Sequence, residues 1–268
     1  MPSIELPGVS LHYEQQGSGG ALLLVAGLAS DAMSWLTVWK DLGARRLVIA
    51  PDNRGVGRTR IHDATVSIDA MADDCAALLD RLGIARAAVL GHSMGGFVAQ
   101  RIALRHPGLV ERLVLVATGS RAPAESVARF RDLADRFDAG EDRSRWFRRL
   151  FDLVFTPRFL ADPANVEAAT RWALDYPWPQ SAQSFRRQAE AIAAFDGEAD
   201  LARLGVPVLV LSGRDDVLFP LDTMQRFAGA IGGARFEVLS GAAHAIHTEQ
   251  PRAFVDAVAR FLGSAAAR

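Results

Sequence analysis

Disulfide chemistry is missing from this chain. Cys75 is the only cysteine in 268 residues, so no internal bridge can form, and its place on the apolar face of "MADDCAALLDRL" marks a buried core thiol rather than a nucleophile. Lysine is as scarce: Lys40 stands alone and nearly all positive charge is arginine, a bias we read as the codon usage of a GC-rich bacterial genome and not as a mechanism. No apolar run reaches the roughly 18 residues of a membrane span. The opening "MPSIELPGVSLHYEQQG" carries neither a basic n-region nor an apolar h-region, which argues against a secretory signal. A cytoplasmic protein is the expectation. Excess charge is lacking too. A formal net charge of -1 gives no electrostatic footprint for nucleic acid or an anionic membrane, and the expected partner is a small molecule, met by a monomer or homodimer.

What is present is an ordinary globular composition, 50% hydrophobic and 23% charged, in a chain long enough to bury about three quarters of its unfolded surface. "IEL" and "VSLHYEQQ", separated by Pro7-Gly8, read as an edge hairpin. Six near-continuous apolar runs follow, at 21–27, 46–52, 86–92, 111–117, 207–213 and 234–240, as expected of strands covered on both faces. Helical patterns lie between them: one after a possible cap at Ser30, one after Ser67, one from Ser93 to His106, and others at 221–231 and 247–262. Strand alternating with helix predicts an α/β fold with a mostly parallel, eight-stranded sheet flanked by helices.

The alternation breaks once. Residues 121–195 carry four arginine-rich amphipathic segments separated by Thr156-Pro157, Asp162-Pro163 and "YPWPQ", which predicts a helical lid inserted into a core made of 1–120 and 196–268. The stretch from Arg121 to Leu204 holds eight of the 14 phenylalanines and three of the five tryptophans. Most should form the lid's own small core and its seam with the sheet. Trp178 is a candidate pocket residue, because open α/β sheets bind ligands beyond the carboxyl ends of their strands.

One stretch bears chemistry. "AAVLGHSMGGFVAQ" runs an apolar strand through Gly91-His92-Ser93-Met94-Gly95 into a helix. The string G-x-S-x-G alone is weak evidence, but a serine on a sharp strand-to-helix turn exposes its hydroxyl, and flanking glycines remove Cβ atoms that would collide there. The helix starting at that point aims free N–H groups and its positive end at the place where an oxyanion would form. The Met94 N–H, one residue after the serine, is the first candidate donor.

With these residues the chain resembles the α/β-hydrolase fold family, specifically its lidded serine hydrolases, which include carboxylesterases, enol-lactonases and ring-cleavage hydrolases. The resemblance implies the order serine, acid, histidine. In "PVLVLSGRDDVLFP" the family position of the acid, three after Gly213 and four before Pro220, selects Asp216, with Asp215 as its rival. In "LSGAAHAIHTEQP" the G-x-x-H position selects His244, with His247 as rival and pocket candidate. An H-x-x-H pair can also ligate a metal, but no third ligand of suitable spacing is evident; the reading calls for no metal and no cofactor. The resemblance also assigns the second oxyanion donor to the Leu28 N–H. There the chain departs from the family, having Ala26-Gly27 where His-Gly is usual; Gly27 is kept, so the change bears on the pocket's shape. Gly27 and His92 are further pocket candidates. "PDNRGVGRT" is similar to a structural turn of the family near the pocket, and Trp35 reads as core.

The implied activity is cleavage of a small, partly apolar ester or lactone through an acyl-serine. "FTPRFL" and "LLDRLGIARAAVLGHSMGG" are similar to 3-oxoadipate enol-lactonases. A carbon-carbon hydrolase of ring-cleavage products is an alternative within the family, and a small-molecule sensor that keeps the pocket is one outside catalysis. A complete acid and histidine favour turnover.

Overall fold

A computed structural model describes residues 2–63 and 65–263. The chain opens with the hairpin β1 (Ser3–Leu6) and β2 (Val9–Gln16), turned at Gly8 with φ 74°, a left-handed value that favours glycine. The six apolar runs become β3 (Ala21–Val25), β4 (Leu47–Pro51), β6 (Ala87–His92), β7 (Val110–Val116), β8 (Val208–Gly213) and β9 (Arg235–Leu239). The strands lie in the order β1-β2-β4-β3-β6-β7-β8-β9, parallel from β4 to β9. A ninth strand, β5 (Arg60–Ile61), pairs with β2 off this path; two residues are too short to leave a periodic signal.

The apolar runs follow from what covers them. Alternate residues of β3 feed opposite faces: Leu23 and Val25 join one core with Met71, Cys75 and Phe97, while Leu22 and Leu24 join the other with Trp35, Phe254 and Phe261. The first layer is α2 (Ile68–Arg81), α3 (Met94–Arg105) and α9 (Leu221–Ala230). The second is α1 (Leu36–Gly43) and α11 (Pro251–Gly263). Cys75 is buried in the first core and burial pushes its thiol far up, which holds it protonated and unreactive.

Two helix boundaries differ from the sequence reading. Asp31 and not Ser30 caps the first helical segment, a 3-10 turn at Ala32–Trp35, accepting from Met33 N at 2.9 Å; Ser30 Oγ donates to the Leu28 carbonyl instead. The helix expected over 247–262 is split into α10 (Ile246–Glu249) and α11, because Pro251 has no N–H with which to continue the first piece. Ser67 caps α2 through Ala70 N at 3.1 Å, as the pattern suggested.

Between β7 and β8 lie five α-helices, α4 (Ala124–Asp138), α5 (Arg143–Val154), α6 (Pro157–Leu160), α7 (Pro163–Leu174) and α8 (Ala182–Ala194), and then a 3-10 turn at Glu198–Arg203. The two proline breakers are helix starts, with Thr156 and Asp162 accepting from Phe159 N and Ala164 N before a proline at the first helical position. A bridge between Arg121 and Asp196 joins the two ends of this helical stretch. Its aromatic residues pack on one another: Trp146 lies 4.7 Å from Phe137 and 5.1 Å from Phe185, ring centre to ring centre. Leu28 and Ala29 of the sheet's loop pack on the same cluster. Among the described residues no helix is long and apolar enough to cross a membrane.

Candidate active site

Ser93 sits between the last residue of β6 and the first of α3 with φ 55° and ψ −121°, a conformation that costs a non-glycine residue about 1–3 kcal/mol. The surroundings hold it there. Ser93 N donates to Val116 O at 2.9 Å, and its carbonyl accepts from Gly96 N at 2.8 Å and Thr118 Oγ1 at 2.9 Å. The glycines are demanded by backbone contact: a Cβ on Gly91 would stand 2.1 Å from the Gly95 carbonyl oxygen, and one on Gly95 would stand 2.0 Å from that of Val25.

Asp216 and His244 meet beside this turn. His244 Nδ1 is 2.9 Å from Asp216 Oδ2, and Asp216 Oδ1 accepts from Leu218 N at 2.8 Å and Phe219 N at 3.0 Å. Those two donors fix the orientation of the carboxylate. Asp215, the rival, is exposed. The Phe219 ring stacks on His244 at 5.9 Å, so the imidazole is confined by an acid behind it and a ring against it. With Nδ1–H donated to Asp216, a neutral His244 keeps its lone pair on Nε2.

His92 and His247 complete a buried cluster with Trp35. The His92 ring lies 4.8 Å from His244 and 4.9 Å from His247, and Trp35 lies 4.8 Å from His247. His92 Nε2 donates to the His244 carbonyl at 2.9 Å, so it supports the histidine loop. Burial, reinforced by the charge of a protonated His244, pushes His92 well below its ordinary value and His247 down to about 4. Of the three imidazoles only His244 has a carboxylate partner. A consequence for stability follows. As pH falls below about 6.5 the unfolded chain protonates at these positions first; the contribution of neutral His247 is whole above that pH and is lost as pH falls toward 4, by about 3 kcal/mol. The guanidinium unfolding midpoint should therefore drop between pH 6.5 and 4, and His247→Gln should flatten that slope.

The loop after β3 is fastened on every side. Asn53 Nδ2 donates to Ala26 O at 3.0 Å, Ser30 N to Gly27 O at 3.3 Å, and Ala29 N, in a residue at φ 58°, to Gln188 Oε1 at 3.3 Å. A Cβ on Gly27 would lie 3.1 Å from Ser93 Cβ and 3.3 Å from His92 Nδ1, so this glycine lets the loop approach the serine. Leu28 follows Gly27 in this loop, and Met94 opens α3. The "PDNRGVGRT" turn is structural: Arg54 grips Asp74 at 2.6 and 3.0 Å, and Asp52 accepts from Ala32 N and Arg58 N. Trp178 carries the Arg58 guanidinium 4.7 Å over its ring and stands on the wall of a cavity between α5, α7 and the loop, whose lining does not include Ser93, Asp216 or His244.

Two functional neighbours have no motif of their own. Gln188, fully buried on α8, ties the insertion to the loop by donating to Arg54 O at 2.8 Å while accepting from Ala29 N. Glu249 accepts from Thr156 N at 3.0 Å and Thr156 Oγ1 at 2.6 Å with one oxygen, and from Ala243 N at 2.7 Å with the other; Ala245 N donates to Val154 O at 2.9 Å. Both neighbours of His244 are thus pinned to the end of α5. Glu249→Ala strands three donors, and we expect a loss of about 2–3 kcal/mol in chemical denaturation.

Comparison with known proteins places this geometry. A family model described as alpha/beta hydrolase fold matches residues 20–251. A protein of Azorhizobium caulinodans that carries the name carbamate hydrolase RutD is 30% identical over 265 residues, covering 98% of each chain. Among solved structures, the enol-lactonase from Burkholderia xenovorans LB400 superposes with a TM-score of 0.87 at 26% identity, covering 98% of this chain and 100% of that one. A thermophilic esterase from Thermogutta terrifontis gives 0.84 at 28% identity, covering 97% and 96%. A parallel sheet, a serine on a strained strand-to-helix turn and a family match across most of the sequence lead to one conclusion: this chain belongs to the α/β-hydrolase fold family.

Proposed function

We propose that the protein is a serine hydrolase that cleaves a carboxylic ester or lactone of a small, partly apolar substrate through an acyl-serine intermediate, with residues 121–195 as its lid. The observation that carries this reading is the Asp216–His244 bond at 2.9 Å beside a serine held at φ 55°. Ser93 Oγ attacks the carbonyl while His244 Nε2 takes its proton. Asp216 orients the imidazole and stabilises the cation that forms. The oxyanion is received by the Leu28 and Met94 N–H groups, each worth about 3 kcal/mol in the transition state. His244 then protonates the leaving group, and a water deprotonated at the same nitrogen releases the acyl group from Ser93. His92 and His247, neutral over the working range, do not compete for the proton.

A carbamate is a second reading, favoured by the relatives of that name at 30–32% identity, since its carbonyl is open to the same attack. The test is a panel of p-nitrophenyl esters, lactones, carbamates and vinylogous diketones followed from the first turnover. The proposal predicts a stoichiometric burst on at least one activated ester followed by sustained turnover. A burst with no second turnover on any compound would favour a sensor instead.

A further inference from the structure

The loop after β3 and the helices above it enclose a cavity of about 90 Å³, floored by Ala29, Ser30 and Asp31 and walled by Trp146, Phe147 and Tyr176. The walls are mostly apolar. In them two buried polar atoms have no protein partner: Nε of Arg143 and Oε1 of Gln180, both on residues that line this cavity. The Gln180 amide is oriented by its other end, because Nε2 donates to Gly55 O and to Gln188 Oε1, each at 2.9 Å. Its oxygen is therefore left as an acceptor.

Arg143 differs from Arg136, Arg148 and Arg149. Arg136 holds Asp132 at 2.7 Å, Arg148 holds Asp152 at 3.2 Å and Arg149 holds Glu141 at 2.9 Å. Arg143 has no carboxylate within 4.0 Å among the described residues; its guanidinium lies 5.0 Å over the rings of Phe137 and Phe147. Burial lowers its proton affinity with no anion to offset it. Asp31 also lines the cavity, but its oxygens take the Met33 N–H and the Tyr176 hydroxyl, and it stays outside ion-pair reach of Arg143.

A planar cation set on aromatic faces, without a counter-ion, in the wall of a small cavity is suited to a carboxylate. The floor begins at Ala29, next to the proposed oxyanion donor Leu28, and both pack on the apolar cluster that contains Trp146. We infer that this cavity is an anion-binding subsite: Arg143 pairs with a carboxylate carried by the substrate, and Gln180 Oε1 accepts from a hydroxyl or amide N–H near it. The inference rests on the ester-hydrolase reading and narrows its substrate to acyl compounds with an anionic end.

The test compares kcat/KM for p-nitrophenyl hydrogen glutarate, a mono-anion, with that for its neutral methyl ester. The wild-type protein should prefer the anion; Arg143→Gln should lower the anion-to-neutral ratio at least about tenfold, and Arg143→Lys should restore part of it. Arg148→Gln, on the same helix and paired at the surface, should leave the ratio as in the wild type. A wild-type ratio at or below one, or a ratio unmoved by Arg143→Gln, overturns the subsite while leaving the hydrolase reading intact. If neither ester is turned over, the hydrolase reading fails for these compounds, and calorimetry with glutarate decides the subsite: binding weakened at least about tenfold by Arg143→Gln supports it, and no binding or unchanged binding overturns it.

Discussion

Ser93→Ala should abolish ester turnover, lowering kcat by about four to six orders of magnitude, with the fold intact. Size makes this the largest expected effect: the proposed mechanism routes both chemical steps through one oxygen, so no remaining group can carry the acyl intermediate. The structure separates this loss from a folding defect. The turn is held by main-chain bonds from Ser93 to Val116 and Gly96 and by Thr118 Oγ1 on the Ser93 carbonyl, none of which involves the side chain that is removed. Alanine pays the same penalty at φ 55° that serine pays. The variant should unfold within about 1 kcal/mol of the wild type. It should also retain substrate binding, since the proposed oxyanion donors of Leu28 and Met94 are backbone groups.

Asp216→Asn should lower kcat by about 10⁴-fold, whereas Asp215→Asn should change it less than about twofold. The difference lies in the imidazole tautomer. Asp216 Oδ2 accepts from His244 Nδ1 while Oδ1 is committed to Leu218 N and Phe219 N. An asparagine placed with its oxygen on those two N–H groups presents an NH₂ to the imidazole, which then accepts at Nδ1 and carries its proton on Nε2. A base so protonated cannot take the serine proton. Asp215 is exposed and its neutralisation leaves this arrangement alone. Steady-state kinetics on the best ester of the panel checks both variants; equal losses would show that the acid has been misassigned.

Much of this was legible in the sequence where one residue type has one physical use. Apolar runs covered on both faces could only be interior strands, and the order β4, β3, β6, β7, β8, β9 realises them in parallel. The glycines around Ser93 were readable because only a residue without Cβ fits against the Gly95 and Val25 carbonyls. Asp216 and His244 were named from family spacing, and they are the pair within hydrogen-bond reach. What stayed hidden depends on contacts across long separations. Gln188 meets Ala29 from 159 residues away, and Glu249 reaches Thr156 over 93; neither leaves a periodic trace. Trp178 is on the wall of the Arg143 cavity, and Arg143 is one arginine among many in the sequence, where its unpartnered Nε leaves no mark. His92 is the last residue of the strand that leads to the serine, and alternation along β6 turns its ring to the His244 carbonyl, a contact that leaves no mark in the sequence.

The central claim is that Ser93 is the nucleophile, activated by His244. It is tested most directly by exposing the folded protein to a fluorophosphonate and locating the adduct by peptide mass spectrometry. The account predicts one phosphonyl group per chain, on Ser93, with labelling slowed by orders of magnitude in His244→Ala. An adduct on another residue, or an unlabelled Ser93 in protein that still turns over esters, would contradict it.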